Sequence, residues 1–207
     1  MPGAPRSAAA RRATLAPDAS RDAAQDVAAD AVRDAAPDAT TDAALLERVA
    51  RGDTEALARL AERYHDRFHR VAWRMLGNEH DAEDCVQIAF LKIHLHAAEF
   101  RARWQGSTWL YRILTNVCID AWRKRRHEDL VAESSARSQG ASVADRMDVQ
   151  AALARLPAET RVVVVLRYLE DLPYEEIARV RGVTVNTVKT QLRRGKQALR
   201  RHLGGKR

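Results

Sequence analysis

An all-α fold, two small helical domains joined by a flexible acidic linker, is what this sequence predicts, on three observations. Apolar side chains recur at steps of three and four from residue 42 to about residue 200, and no segment sustains the alternation of a strand. Residues 128–146, EDLVAESSARSQGASVADR, interrupt that periodicity with small, polar and net-acidic residues. A chain of 207 residues is long enough for one medium domain or two small ones.

Residues 1–41 are rich in Ala, Asp and Arg and carry almost no large apolar side chain. Asp18, Asp22, Asp26, Asp30, Asp34, Asp38 and Asp42 recur every four residues. On a helix they would stack like charges along one face, at roughly 0.2–0.5 kcal/mol per pair. Pro17 and Pro37 interrupt the run, so this segment reads as a disordered low-complexity tail. A start codon set too far upstream would give the same feature, and the native protein's intact mass distinguishes the two.

Order is expected from Asp42. Leu45, Leu46 and Val49 make a short amphipathic helix that stops at Gly52. Asp53 is placed to cap a second helix whose apolar stripe is Leu57, Leu60, Ala61, Tyr64, Phe68, Val71, Ala72 and Met75, ended by Gly77-Asn78. Asp81 is expected to cap a third, with Ala82, Val86, Ala89, Phe90 and Ile93 inward. A fourth runs from about Ser107 to Arg126, with Leu110, Ile113, Leu114, Val117, Cys118 and Ala121 inward. After the linker, one helix carries Val149, Ala152, Leu153 and Leu156 and stops at Pro157. The run Val162–Leu166 has the composition of a buried strand, but Pro157 followed by Glu159 is a helix start. The expected domains are therefore 42–127 and 147–203.

Charge is partitioned sharply. Residues 179–207 hold ten Lys/Arg and no acid, and residues 101–127 hold seven Lys/Arg with Asp120 as the one acid. Together they carry +16, so the remainder carries −9 within a net charge of +7. Two basic segments on an otherwise acidic chain point to two nucleic-acid footprints. No run approaches the ~18–20 apolar residues of a membrane span, and the N-terminus lacks the apolar core of a secretory signal. A cytosolic protein without membrane insertion is expected. Cys85 and Cys118 lack CxxC spacing and read as reduced, packed thiols.

Residues 174–192, YEEIARVRGVTVNTVKTQL, have the pattern of a helix-turn-helix. Ala178 is small where the second helix crosses, Gly182 permits the turn and Val183 plugs the corner. Thr184 is a natural N-cap, and Val188 and Leu192 pack back onto Ile177. That leaves Asn186, Thr187, Lys189, Thr190, Arg193, Arg194 and Lys196 on the sides that can meet DNA. The motif speaks for DNA binding, and repressors, activators and response regulators all use it.

The discriminating segment is 99–127, EFRARWQGSTWLYRILTNVCIDAWRKRRH. Trp104, Trp109, Tyr111 and Trp122 lie among Arg101, Arg103, Arg112, Arg123, Lys124, Arg125 and Arg126. Rings interleaved with cations suit single-stranded DNA, where bases stack and guanidinium groups hold the backbone. Arg112, Thr115, Asn116, Ile119 and Arg123 share the face opposite the apolar stripe. Trp109 and Trp122 serve equally well as core residues, whereas Trp104 lies outside any apolar stripe.

The order of DAEDCVQIAFLKIH, the FRARWQGSTWLYRILTNVCIDAWRKRR segment, an acidic linker and LPAETRVVVVLRYLEDLPYEEIARVRGVTVNTVKTQLRRGKQALR resembles the extracytoplasmic-function (ECF) RNA polymerase sigma factors over about 42–203. The resemblance implies a sigma-2-like domain at 42–127 and a sigma-4-like domain at 147–203. The helix after Asp81 would dock on the clamp of the largest polymerase subunit, with Asp81, Asp84, Gln87, Leu91 and Lys92 as candidate contacts. The second domain would meet the flap of the second-largest subunit. Segment 100–123 would open the promoter −10 element and hold a flipped base in a loop, and the candidate −10 contacts are Arg101, Arg103, Trp104, Trp109, Arg112, Asn116, Arg123 and Arg126. The second helix of the helix-turn-helix would read the −35 element, with Lys189, Thr190 and Arg194 at base-contacting positions. Promoter DNA, core polymerase and an anti-sigma factor are the implied partners. Pro173 replaces the Ser that often precedes the helix-turn-helix, and Gln191 stands where Arg is frequent, which bears on −35 preference.

No enzymatic function, cofactor or metal is expected: the chain has no phosphate-binding glycine loop, and the polymerase does the chemistry. A one-domain regulator with 42–127 as a sensor would leave the Trp/Arg segment unused. His65 and His69 lie one helical turn apart, and His94 and His96 lie close to Cys85 in sequence, but histidine pairs on a surface helix are common and the third ligand of a catalytic metal site is not apparent.

Overall fold

The computed structural model of the protein describes residues 41–101, 104–132 and 144–203, with side chains described over 41–127 and 149–203 apart from 102 and 103. Most of the expected tail, most of the expected linker and Arg103 lie outside the described residues. What is described falls within one compact unit, Pro37–Arg207. Among the described residues every regular element is helical.

Helix α1 (Asp42–Ala50) is capped by Thr41 and buries Leu45, Leu46 and Val49. Asp53, hydrogen-bonded by the Ala56 amide at 3.1 Å, caps α2 (Thr54–Leu76). The apolar stripe expected there is buried, with Leu57 and Ala61 half-covered at its edge. Helix α3 (Glu79–His96) begins earlier than expected. Asn78, not Asp81, is its N-cap, accepting from the His80 and Asp81 amides at 2.9 and 3.3 Å. Asp81, one turn inside, is instead an ion-pair partner of Arg125 at 2.7 Å. A single 3-10 turn (Ala97–Glu99) leads toward α4 (Gly106–Ala132), which continues past Arg126 into the stretch read as linker.

Helices α2, α3 and α4 pack around an aromatic cluster centred on Phe68. Its ring lies 5.4 Å from Tyr64, 5.4 Å from Phe90 and 5.6 Å from Tyr111. The second half holds α5 (Ala144–Ala154), α6 (Ala158–Tyr168), α7 (Tyr174–Arg181) and α8 (Val185–Leu203). The Val162–Leu166 run is helical and buried on every side. A helix apolar all round must be enclosed, and α6 packs against α2, α4, α7 and α8. Gly195 of α8 permits this approach, since a Cβ there would sit 2.6 Å from Val164 Cγ2.

The two halves meet along a polar seam. The last carbonyls of a helix lack intrahelical partners. At the end of α2, Gln150 Nε2 donates to the Trp73 and Arg74 carbonyls at 3.1 and 3.2 Å. Arg161, 2% exposed, donates to the carbonyls of Met75, Ala154 and Leu156 and stacks on Trp122 at 5.6 Å. Burial lowers its pKa to about 10, so it remains a cation at neutral pH.

Candidate nucleic-acid interface

Three surfaces carry the residues singled out by the sequence. The first is α8. Pro173 precedes α7 without a side-chain cap, and Gly182, at φ +64°, makes the left-handed turn that separates α7 from α8. Thr184 Oγ1 accepts from the Thr187 amide at 3.2 Å. Val188 and Leu192 are buried with Ile177 and Ala178, as the motif requires. Asn186, Lys189, Arg193, Arg194 and Lys196 are exposed, and Thr187 and Thr190 are half-buried. Arg193, Arg194, Lys196 and Arg200 border a shallow cleft of about 640 Å³. Among the described residues no carboxylate pairs with a cation of α8.

The second surface is formed by the loop before α4 and the start of that helix. Trp104, Trp109, Arg112 and Asn116 converge with Lys92 and His96 of α3 on a cleft of about 360 Å³. Trp104 is half-buried and Arg112 lies over its ring at 5.8 Å, so ring and cation form one platform. Trp109 is largely buried, edge-on to Phe100 at 5.8 Å, and anchors the floor of the cleft. Trp122 is half-buried between Arg126, 5.3 Å from its ring, and Arg161. Trp109 is therefore a core ring that also lines the cleft, and Trp122 belongs to the seam. Arg101 and Arg126 are exposed.

The remainder of the α4 face departs from expectation. Thr115 and Ile119 are buried, at 0% and 3% exposure, although single-helix periodicity turns them to solvent. The cause is tertiary, because α6 and α7 pack across this side of α4. Ser107 and Thr108 hydroxyls donate to Glu176 at 3.1 Å each, and Tyr111 donates to Glu170. Arg123 pairs with Glu159 at 3.1 Å, Glu159 also holds Arg181, and Arg181 reaches Asn116 at 3.4 Å. Burial and the Glu170 contact raise the Tyr111 phenol far above its ordinary pKa.

The third surface is the outer face of α3. Asp84, Gln87 and Leu91 are exposed, and Asp81 and Lys92 are half-buried. Asp81, Asp84 and Lys92 border a groove of about 680 Å³ between α3 and α4, with Lys124 and Arg125 on its far wall. Ile88 and Leu95, 43% and 64% exposed, line up with Leu91 at 57%. The sequence reading missed both, and the signal was present: residues 88, 91 and 95 repeat at helical spacing outside the inner stripe. Cys85 lies at the groove floor against the buried Cys118, and both are free thiols. The hydrogen bond between them lowers the Cys85 pKa and raises that of Cys118. His65 and His69 stack at 6.4 Å and face Glu83 and Glu79 respectively.

Comparison with known proteins agrees with this geometry. The family described as sigma-70 region 2 matches residues 60–133, and that described as sigma-70, region 4 matches residues 146–199. The chain is 34% identical over 176 residues to the ECF RNA polymerase sigma factor SigW of Bacillus subtilis, covering 76% of this chain and 94% of that one. It is 35% identical over 163 residues to ECF RNA polymerase sigma factor SigM of Mycobacterium tuberculosis, covering 77% and 83%. Among solved structures, CnrH in complex with the cytosolic domain of CnrY superposes with a TM-score of 0.64 at 25% identity, over 80% of this chain and 99% of that one. The chain therefore belongs to the ECF RNA polymerase sigma factor family, and it is a transcription initiation factor that directs RNA polymerase to promoters rather than an enzyme.

Proposed function

We propose a division of labour among the three surfaces. Helix α8 reads duplex DNA at the −35 element, with Asn186, Lys189, Thr190 and Arg194 toward the bases and Arg193, Lys196 and Arg200 toward the phosphates. The cleft at the start of α4 takes an unstacked base of the −10 element. The α3 stripe Ile88, Leu91 and Leu95, rimmed by Asp84, Gln87 and Lys92, docks on the polymerase clamp, and the second half meets the flap. The observation that carries this reading is the Trp104–Arg112 platform beside Trp109, a stacking ring and a cation bordering one base-sized cleft. Unstacking a base costs a few kcal/mol and aromatic stacking returns about 1–3 kcal/mol, so opening needs no nucleotide hydrolysis.

An anti-sigma protein is a further partner on this reading, supported by CnrH, whose structure holds the cytosolic domain of CnrY. No described helix is long and apolar enough to cross a membrane, and action in the cytosol beside the polymerase is part of the proposal. Run-off transcription with core polymerase tests the reading. Wild type should direct promoter-specific transcripts, Trp104→Ala should lose open complex, and Arg194→Ala should lose −35 dependence. Promoter-independent transcription by the wild type would overturn it.

A further inference from the structure

We propose that His96, held by Glu99, is a specificity-determining residue of the cleft at the start of α4, and that it selects a base carrying an exocyclic amine against thymine. This inference rests on the −10 reading of that cleft given above.

The polar border of the cleft falls into two parts. Lys92 and Arg112 bring groups that only donate, whereas His96 and Glu99 bring groups that accept. His96 Nδ1 lies 2.8 Å from Glu99 Oε1. A carboxylate can only accept, so the proton of this contact sits on Nδ1, and in the neutral ring Nε2 is left as an acceptor. The second oxygen of Glu99 is another. Asn116, whose amide both donates and accepts, favours neither kind of base.

The pair is held in place by the backbone. His96 is the last residue of α3, and Glu99 is the last of the 3-10 turn that follows. Ala97 between them is buried, and the Phe100 amide donates to its carbonyl at 3.1 Å. Both positions are thus fixed before a ligand arrives, which lowers the entropy lost on binding. The two side chains are exposed, at 50% and 72%. An ion pair so exposed adds little to stability, so folding does not account for an acid beside a site for a chain of phosphates. Recognition of a base edge does.

Stacking on Trp104 accepts any base, so the choice falls to the edge. Adenine, cytosine and guanine each carry an exocyclic amine that can donate to His96 Nε2 or to Glu99. Thymine has no amine. Its one N–H, at N3, lies between the O2 and O4 carbonyls, so turning it toward His96 sets two oxygens against the Glu99 carboxylate. Lys92 and Arg112 can donate to a ring nitrogen or carbonyl of every base, so they do not separate the four.

The test uses the full chain bound to core polymerase and fluorescence anisotropy with a labelled single strand spanning the −10 non-template sequence. An abasic site moved along the strand locates the captured base, as the position where it weakens wild type and adds nothing to Trp104→Ala. At that position wild type should bind adenine, cytosine or guanine about tenfold tighter than thymine, and replacing adenine by purine, which deletes only the amine, should lose the same factor. His96→Leu should bring the four bases within about twofold of one another, the tolerance of stacking alone. Glu99→Ala should lose most of the discrimination, while Glu99→Gln, whose amide oxygen still accepts from Nδ1, should keep it. Removing an acid from beside phosphates should make both Glu99 variants bind the thymine strand tighter, whereas damage to the cleft would weaken that binding. Discrimination against thymine that survives His96→Leu, or that wild type lacks, overturns this proposal and leaves the −10 reading standing. A strand with no position sensitive to both the abasic site and Trp104→Ala overturns that reading and this proposal together.

Discussion

Helices α4 and α8 are both basic, yet the fold leaves one open and covers the other. The cations of α8 are exposed along its length, and among the described residues none of them forms an ion pair with an acid. The α4 face is roofed by α6 and α7, its hydroxyls and Arg123 taken up by glutamates. A helix that reads intact duplex needs only a free face, since the major groove accepts it without distorting the DNA. A helix that holds separated strands presents rings and cations that any single strand would occupy. The ring and cation of the proposed base cleft, Trp104 and Arg112, lie outside that cover, so the roof takes up only the hydroxyl and Arg123 side of α4.

The largest way to break the contrast is Arg161→Met. It leaves the carbonyls of Met75, Ala154 and Leu156 without their donor and removes a cation stacked on Trp122. Each orphaned buried group costs about 1–3 kcal/mol, so urea denaturation should show a loss of about 3–5 kcal/mol. A loss under ~1 kcal/mol would mean that the roof over α4 is held by something other than this residue. The next effect is smaller. Trp104→Ala removes a stacking ring worth about 1–3 kcal/mol, and permanganate footprinting of the holoenzyme should show a five- to hundredfold loss of open complex. Binding to a −35 duplex should be unchanged. Loss of both would mean that the two helices do not act on separate steps.

Arg194→Ala is the reciprocal experiment. It should weaken binding of a −35 duplex by about 1 kcal/mol, at the low end for a specific contact because Arg193, Lys196 and Arg200 border the same cleft. Once the holoenzyme is bound, permanganate reactivity should match wild type. A defect in opening would move α8 out of the role of duplex reader.

How much of this was legible in the sequence follows from the range of the interactions. The helix-turn-helix was readable in full, because Gly182, Thr184, Val188 and Leu192 act within one turn or one crossing of each other. The helical state of Val162–Leu166 was readable from Pro157 and Glu159 at its start, though not the reason it is apolar all round, which is its position between the two halves. Thr115 and Ile119 were misread because periodicity in a single helix reveals one buried side, and the second cover comes from helices more than thirty residues away in sequence. Arg161 was not singled out by the sequence, where it stands beside a valine run. Its guanidinium finds two acceptors close by in sequence, the Ala154 and Leu156 carbonyls, and the third, Met75 at the end of α2, is brought to it only by the fold. The same limit applies to Gly195, whose need for a missing Cβ is set by Val164 on another helix. Asn78 took the capping role from Asp81 because it lies immediately before the first helical turn, where its side chain reaches two free amides.

The smallest expected effect sharpens the comparison most on the α8 side. Lys196 lies over the Tyr168 ring, with its ammonium 5.5 Å from the centroid. That contact restrains a long side chain before DNA arrives, reducing the rotamer entropy lost when it meets a phosphate. Lys196→Gln should weaken duplex binding only a few-fold, equally for every sequence, and reduce the slope of log affinity against log salt by about 1. Tyr168→Ala keeps the charge and frees the ammonium, so it should leave that slope unchanged while lowering affinity slightly. If Lys196→Gln altered which −35 sequence is preferred, the lysine would belong with the base-reading residues of α8. The division between a reading half and a holding half of that helix would then need to be redrawn one turn further along.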